Sequence, residues 1–101
     1  MSDSDRLRLL LVDDHTLFRK GLASLLRSEP DFEVVGEAAD GLEAIEKAPA
    51  LHPDIILMDL HMPRVSGLEA TLAILSMRPD VKIVMLTVSE DSEGILEAVK
   101  S

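Results

Sequence analysis

The sequence predicts an α/β domain, a doubly wound parallel sheet with helices on both faces. Three observations lead there. Short, nearly all-apolar runs occur at Leu7–Val12, Ile55–Leu60 and Ile83–Leu86. Stretches with helical spacing separate them, and cap or turn residues mark the boundaries. Strands apolar on both faces and alternating with helices belong to parallel sheets covered on both sides, joined by right-handed crossovers.

The elements follow in order. Leu7–Val12 reads as a buried strand. Leu17, Phe18, Gly21, Leu22, Leu25 and Leu26 recur at helical spacing, and Pro30 stops that helix. Phe32–Ala38 is a second strand centred on Val34 and Val35. Asp40 through Glu43 has the shape of a helix N-cap, followed by Leu42, Ala44, Ile45 and Ala48. Ile55–Leu60 is the next strand. Ser66 through Glu69 is a second capping box, opening a helix through Leu68, Leu72, Ile74 and Leu75, and Pro79 punctuates. Ile83–Leu86 is the core of a fourth strand ending at Thr87. Ser89–Ser101 reads as a last helix carrying Ile95, Leu96 and Val99.

Composition narrows the function. The 101 residues amount to one domain. A formal net charge of -9, with ten scattered Lys and Arg, argues against nucleic-acid binding by this segment. Two aromatic residues, Phe18 and Phe32, make no base-stacking platform. The absence of Cys removes disulfides, thiolate metal sites and a Cys nucleophile. It fits a reducing compartment. No apolar run approaches the ~18 residues of a membrane span, and no signal-peptide pattern opens the chain. The expectation is a cytoplasmic protein without membrane contact.

In open parallel sheets, sites form outside the carboxyl ends of the strands. There the first strand ends in Asp13 and Asp14, the third in Asp59 and the fourth in Thr87. Adjacent strands lie about 4.8 Å apart. Two like charges ~5 Å apart repel by about 3 kcal/mol at an effective dielectric near 20. Three clustered carboxylates therefore protonate, splay apart or hold a cation. Carboxylate ligands suit Mg²⁺, with Mn²⁺ as the alternative. A carboxylate beside such an ion is also a nucleophile toward phosphorus. A lone Asp at a strand end is ordinarily a cap, and Asp14 is a candidate cap for the first helix. Three at matching strand ends are harder to explain as caps.

Competing sites are excluded. No Gly-x-Gly, no Gly-Lys-Ser/Thr, no zinc-protease motif and no nucleophile elbow occurs. His15, His52 and His61 are too dispersed for a transition-metal site and read as solvated loop residues. Met58 and Met85 read as core filler.

These residues resemble the receiver domain of bacterial two-component response regulators. The resemblance rests on Asp13-Asp14-His15 after the first strand, on Met58 through Gly67 after the third, and on Leu86-Thr87 after the fourth. Asp14–Leu22 and Val34–Ala38 resemble the NarL/FixJ branch, whose members usually carry a C-terminal LuxR-type helix-turn-helix domain. The resemblance implies a flavodoxin-like fold, as in CheY, with strand order 2-1-3-4. It implies Asp59 as acceptor of a phosphoryl group from a sensor histidine kinase. It implies Mg²⁺ held by Asp13, Asp14, Asp59 and the backbone carbonyl of His61. Thr87 would hydrogen-bond a phosphoryl oxygen and swing inward as a switch. Val88, bulkier than the residue often found after that Thr, would slow dephosphorylation. The chain is expected to catalyse its own phosphoryl transfer and hydrolysis without being a turnover enzyme. Its expected partners are the kinase, its own C-terminal DNA-binding domain and a second copy in a homodimer.

Receiver domains carry a fifth strand and helix, with a Lys and an aromatic switch residue. Residues 1–101 read as a receiver domain lacking these, roughly 20–25 residues short. Lys100 is a poor substitute for that Lys. The fourth strand would then be an exposed apolar edge, and the segment alone marginal or self-associating. Two alternatives compete. A Mg²⁺-dependent phosphohydrolase of the haloacid-dehalogenase kind needs an acid/base Asp where His61 stands. A pseudo-receiver would serve as an interaction module without phosphorylation.

Overall fold

The structure, a computed structural model, describes residues 6–60, 62 and 65–86. Its elements, in order, are β1 (Leu7–Val12), α1 (Thr16–Arg27), β2 (Phe32–Ala38), α2 (Gly41–Leu51), β3 (Ile55–Asp59), α3 (Gly67–Met77) and β4 (Lys82–Leu86). The strands form one parallel sheet in the order β2-β1-β3-β4. That is the doubly wound order expected. β3 ends one residue earlier than its apolar run suggests, and β4 begins one residue earlier. The helix expected over Ser89–Ser101 lies outside the described residues, as does Val88.

Strand alternation divides the core in two. Leu10 and Val12 of β1 and Ile56 and Met58 of β3 share one face with α2 and α3. Ala44 and Ala48 of α2 and Ala70 of α3 are fully buried there, so small side chains let the helices approach the sheet closely. Leu9 and Leu11 are buried on the other face, the side covered by α1 and its buried Ala23. No helix among the described residues is long and apolar enough to cross a membrane.

β2 lies at one edge of the sheet and is only half-buried before Ala38. Its register with β1 shifts: Leu9 pairs with Val34, but Leu10 pairs with Gly36. Val35 is the extra residue of a bulge, which leaves the end of β2 aligned with the end of β1. Among the described residues β4 pairs with β3 alone.

Both predicted caps form. Asp40 accepts a hydrogen bond from Glu43 N at 2.8 Å. Ser66 Oγ accepts from Glu69 N at 3.1 Å, and Glu69 Oε1 accepts from Ser66 N at 3.2 Å, a complete capping box. Ser66→Ala is expected to cost about 1 kcal/mol. Urea unfolding checks it: the midpoint falls for Ser66→Ala and is largely restored in Ser66→Asp.

Candidate functional site

The sheet register creates the site. Val12 of β1 lies opposite Met58 of β3, so the next residue of each strand, Asp13 and Asp59, emerges side by side at the carboxyl edge. Both are buried, Asp13 at 4% exposure and Asp59 at 1%. Asp14 is partly exposed and His15 exposed. One ligand atom from each of Asp13, Asp14, His15 and Asp59 lies within 4.8 Å of the others. The three predicted carboxylates are therefore brought together. Asp59 also pairs in register with Leu86, the last residue of β4. Thr87 and His61, the remaining predicted site residues, lie outside the described residues.

The turn from β1 into α1 is built by Asp13. Its N–H donates to Ala38 O at 3.1 Å, extending the ladder with β2 by one residue. Its Oδ1 accepts from His15 N at 2.7 Å, folding the chain into the helix. The N-cap of α1 is His15, without a side-chain cap hydrogen bond, so Asp14 is not the cap. Instead Asp14 Oδ1 lies 3.1 Å from His15 Nδ1, which is also 3.2 Å from Asp13 Oδ1. His15 is the solvent-exposed loop residue expected, and its ring sits against both carboxylates. The hydrogen bond that protonated His15 donates to Asp13, then the charge of Asp14, raise its pKa above the ordinary 6.5.

Asp13 Oδ2 is buried with no hydrogen-bond partner among the described residues. A buried carboxylate oxygen without a donor is costly. An oxygen-liganded divalent cation satisfies such an atom and offsets repulsion among the three carboxylates. The residues present therefore fit Mg²⁺.

Behind the turn lies a second charged cluster that spacing alone did not reveal. Arg19 is 8% exposed. Its Nε donates to Glu37 Oε1 at 3.0 Å and its Nη1 to Asp13 O at 2.5 Å. Lys20 Nζ lies 3.1 Å from Glu37 Oε1, Arg27 Nη2 lies 3.7 Å from Oε2, and Lys47 Nζ donates to Glu37 O. Burial pushes the Glu37 carboxyl up, but the hydrogen bonds from Lys20 and Arg19 outweigh it and hold the pKa below 4.5. A depressed folded-state pKa stabilises the fold fully above the unfolded-state value and loses that stabilisation as pH falls through the folded value. Glu37→Gln is expected to lower stability at neutral pH by about 1.5 kcal/mol. It should also flatten the decline below about pH 4.5. Unfolding midpoints of both proteins across that pH range check it.

Gly67, the first residue of α3, packs against the end of β3. Its N–H donates to Leu60 O at 3.2 Å, and the space a Cβ would need is filled by the backbone of Asp59 and Leu60.

Comparison with known proteins identifies the family and the fold. The family model of the response regulator receiver domain matches residues 9–101. The chain is 38% identical over 99 residues to the transcriptional regulatory protein DegU of Brevibacillus brevis, covering 98% of the chain and 42% of that protein. It is 44% identical over 95 residues to the transcriptional regulatory protein LiaR of Bacillus subtilis (strain 168), covering 94% of the chain and 45% of that protein. The chain thus spans less than half the length of either relative. Among solved structures, a LuxR-family two-component response regulator from Aurantimonas sp. SI85-9A1 superposes with a TM-score of 0.79 at 37% identity, covering 94% of the chain and 68% of that structure.

Proposed function

Because the chain belongs to the receiver-domain family of response regulators, a signalling family rather than one of turnover enzymes, we propose that Asp59 is its phosphoacceptor. The observation that carries this reading is the convergence of buried Asp13 and Asp59 with Asp14 at one sheet edge. A carboxylate oxygen of Asp59 attacks the phosphorus of a kinase phosphohistidine. The new P–O bond forms as the P–N bond breaks, and the imidazole leaves with the electron pair and takes up a proton. Asp13, Asp14 and Asp59 would hold the cation, with the His61 carbonyl as a further ligand. When bound, Mg²⁺ offsets the repulsion between the anionic nucleophile and the anionic phosphoryl donor.

Thr87, which directly follows β4, donates a hydrogen bond to the phosphoryl group as the switch. The output is a DNA-binding domain C-terminal to this segment. That assignment is supported by the names of the relatives, transcriptional regulators more than twice the matched length. The test is intact-mass measurement after incubation with acetyl phosphate. One phosphoryl group per chain is expected with Mg²⁺ and none with excess chelator. A chain that stays unlabelled in Mg²⁺ refutes the reading.

A further inference from the structure

We propose that Arg19 is a positioning residue of this centre: its guanidinium holds the Asp13–Asp14 peptide from behind and sets how the two carboxylates meet. The proposal rests on the phosphoacceptor reading above.

Arg19 sits on the buried face of α1, beside fully buried Ala23 and half-buried Leu22 and Leu26. An ion pair to Glu37 alone would satisfy its charge. The guanidinium, however, is a rigid planar fork with several donors. While Nε engages Glu37, Nη1 reaches the Asp13 carbonyl. Asp13 lies one residue past β1, where the strand no longer fixes the chain by itself. Its N–H is held by Ala38 O, its side chain by His15 N, and its carbonyl by Arg19.

The peptide group is planar, so anchoring the Asp13 oxygen also sets the Asp14 nitrogen and Cα. Those atoms carry the second carboxylate of the cluster. The anchor is itself tied down from several elements. Glu37 belongs to β2, and Lys47 of α2 donates to the Glu37 carbonyl. Glu37, though shared with Lys20 and Arg27, pairs with the Arg19 charge, so the fork orients the ligands while part of its charge is offset. Neither Lys nor Gln at this position can hold both partners in that geometry.

Partners that orient metal ligands typically contribute about 10–100-fold in affinity or activity. In the full chain, Arg19→Lys and Arg19→Gln are expected to weaken Mg²⁺ binding by about that factor, followed by calorimetry or amide shifts of Asp13 and Asp14. Leu26→Ala, which destabilises α1 away from the turn, is the control and should keep the wild-type Mg²⁺ affinity. Binding and site geometry are reciprocally coupled. Hydrogen exchange at Arg19 Nε of the wild type should therefore slow when Mg²⁺ is added, a readout independent of any variant's folding.

Wild-type Mg²⁺ affinity in Arg19→Lys, an equal loss in Leu26→Ala, or an unchanged Arg19 Nε exchange rate each overturns the proposal. A wild type that neither binds Mg²⁺ nor accepts phosphate fails the underlying reading itself, and that outcome is distinct because it precedes any variant.

Discussion

Replacing Asp59 with Asn is expected to abolish labelling by acetyl phosphate and, in the absence of Mg²⁺, to raise the unfolding temperature. The first effect follows from chemistry: an amide oxygen is no nucleophile toward phosphorus at neutral pH, and a carboxylate beside a cation is. The second follows from the cluster. Asp13, Asp14 and Asp59 place ligand oxygens within 4.8 Å of one another, two of the three residues being buried. Two such charges ~5 Å apart repel by about 3 kcal/mol at an effective dielectric near 20. Structural relaxation and counter-ions recover much of that, leaving an expected gain of about 1 kcal/mol. In a domain of this size this is a rise of about 4–8 °C. Mg²⁺ works in the opposite sense between the two proteins. At a hundredfold excess over its dissociation constant it stabilises the wild type by about 2.7 kcal/mol, and the variant, lacking one ligand charge, by less. Intact mass and thermal unfolding, each with and without Mg²⁺, check the pair. Persistent labelling of Asp59→Asn would move the acceptor to another residue. A lower unfolding temperature of the metal-free variant would reject the repulsion account.

The legible part of this site is the part written in strand patterning. With one face of β3 buried and the other half-buried, the strand is apolar throughout, so the Asp that ends the run stands out, and so does the Asp pair after β1. The parallel order then brings these strand ends together, so the meeting of Asp13 and Asp59 was legible in the strand pattern. The Ser66 capping box was legible for a similar reason, since its partners are three residues apart. What escaped were contacts between distant segments. Arg19 and Glu37 are 18 residues apart and meet only when α1 lies on the sheet beside β2. The available signal was weak: a charge on the buried face of α1, and another inside β2. The bulge at Val35 left no mark, because Val34-Val35 reads as unbroken strand. Asp14 was a plausible cap by position, but the turn takes its hydrogen bond from Asp13, leaving Asp14 turned toward His15.

A comparison of three glycines gives the second large effect. Gly67→Ala is expected to destabilise the fold by about 3 kcal/mol, the upper end of ordinary overpacking. An added Cβ would lie 2.2 Å from Asp59 O, 2.9 Å from Leu60 Cα and 3.1 Å from Asp59 C. All three are backbone atoms and cannot rotate away. Gly67 has no positive φ, so the cost is purely steric. At Gly36 the nearest atom to an added Cβ is Leu51 Cδ1 at 2.6 Å, the tip of a flexible side chain, and Gly36→Ala should cost about 1 kcal/mol. At Gly21, inside α1, nothing lies within 4 Å, and Gly21→Ala should stabilise by about 0.5–1 kcal/mol through helix propensity. The three therefore span both signs, and urea unfolding orders them. Gly67→Ala carries a further consequence that the others do not. Relieving its clash requires the end of β3 to part from the start of α3, and the backbone that moves is that of Asp59. Its phosphoryl acceptance should accordingly fall further than its folded fraction, measured at a temperature where the variant is still mostly native. Equal losses in labelling and folded fraction would mean that the strain is absorbed in α3, with Asp59 left in place.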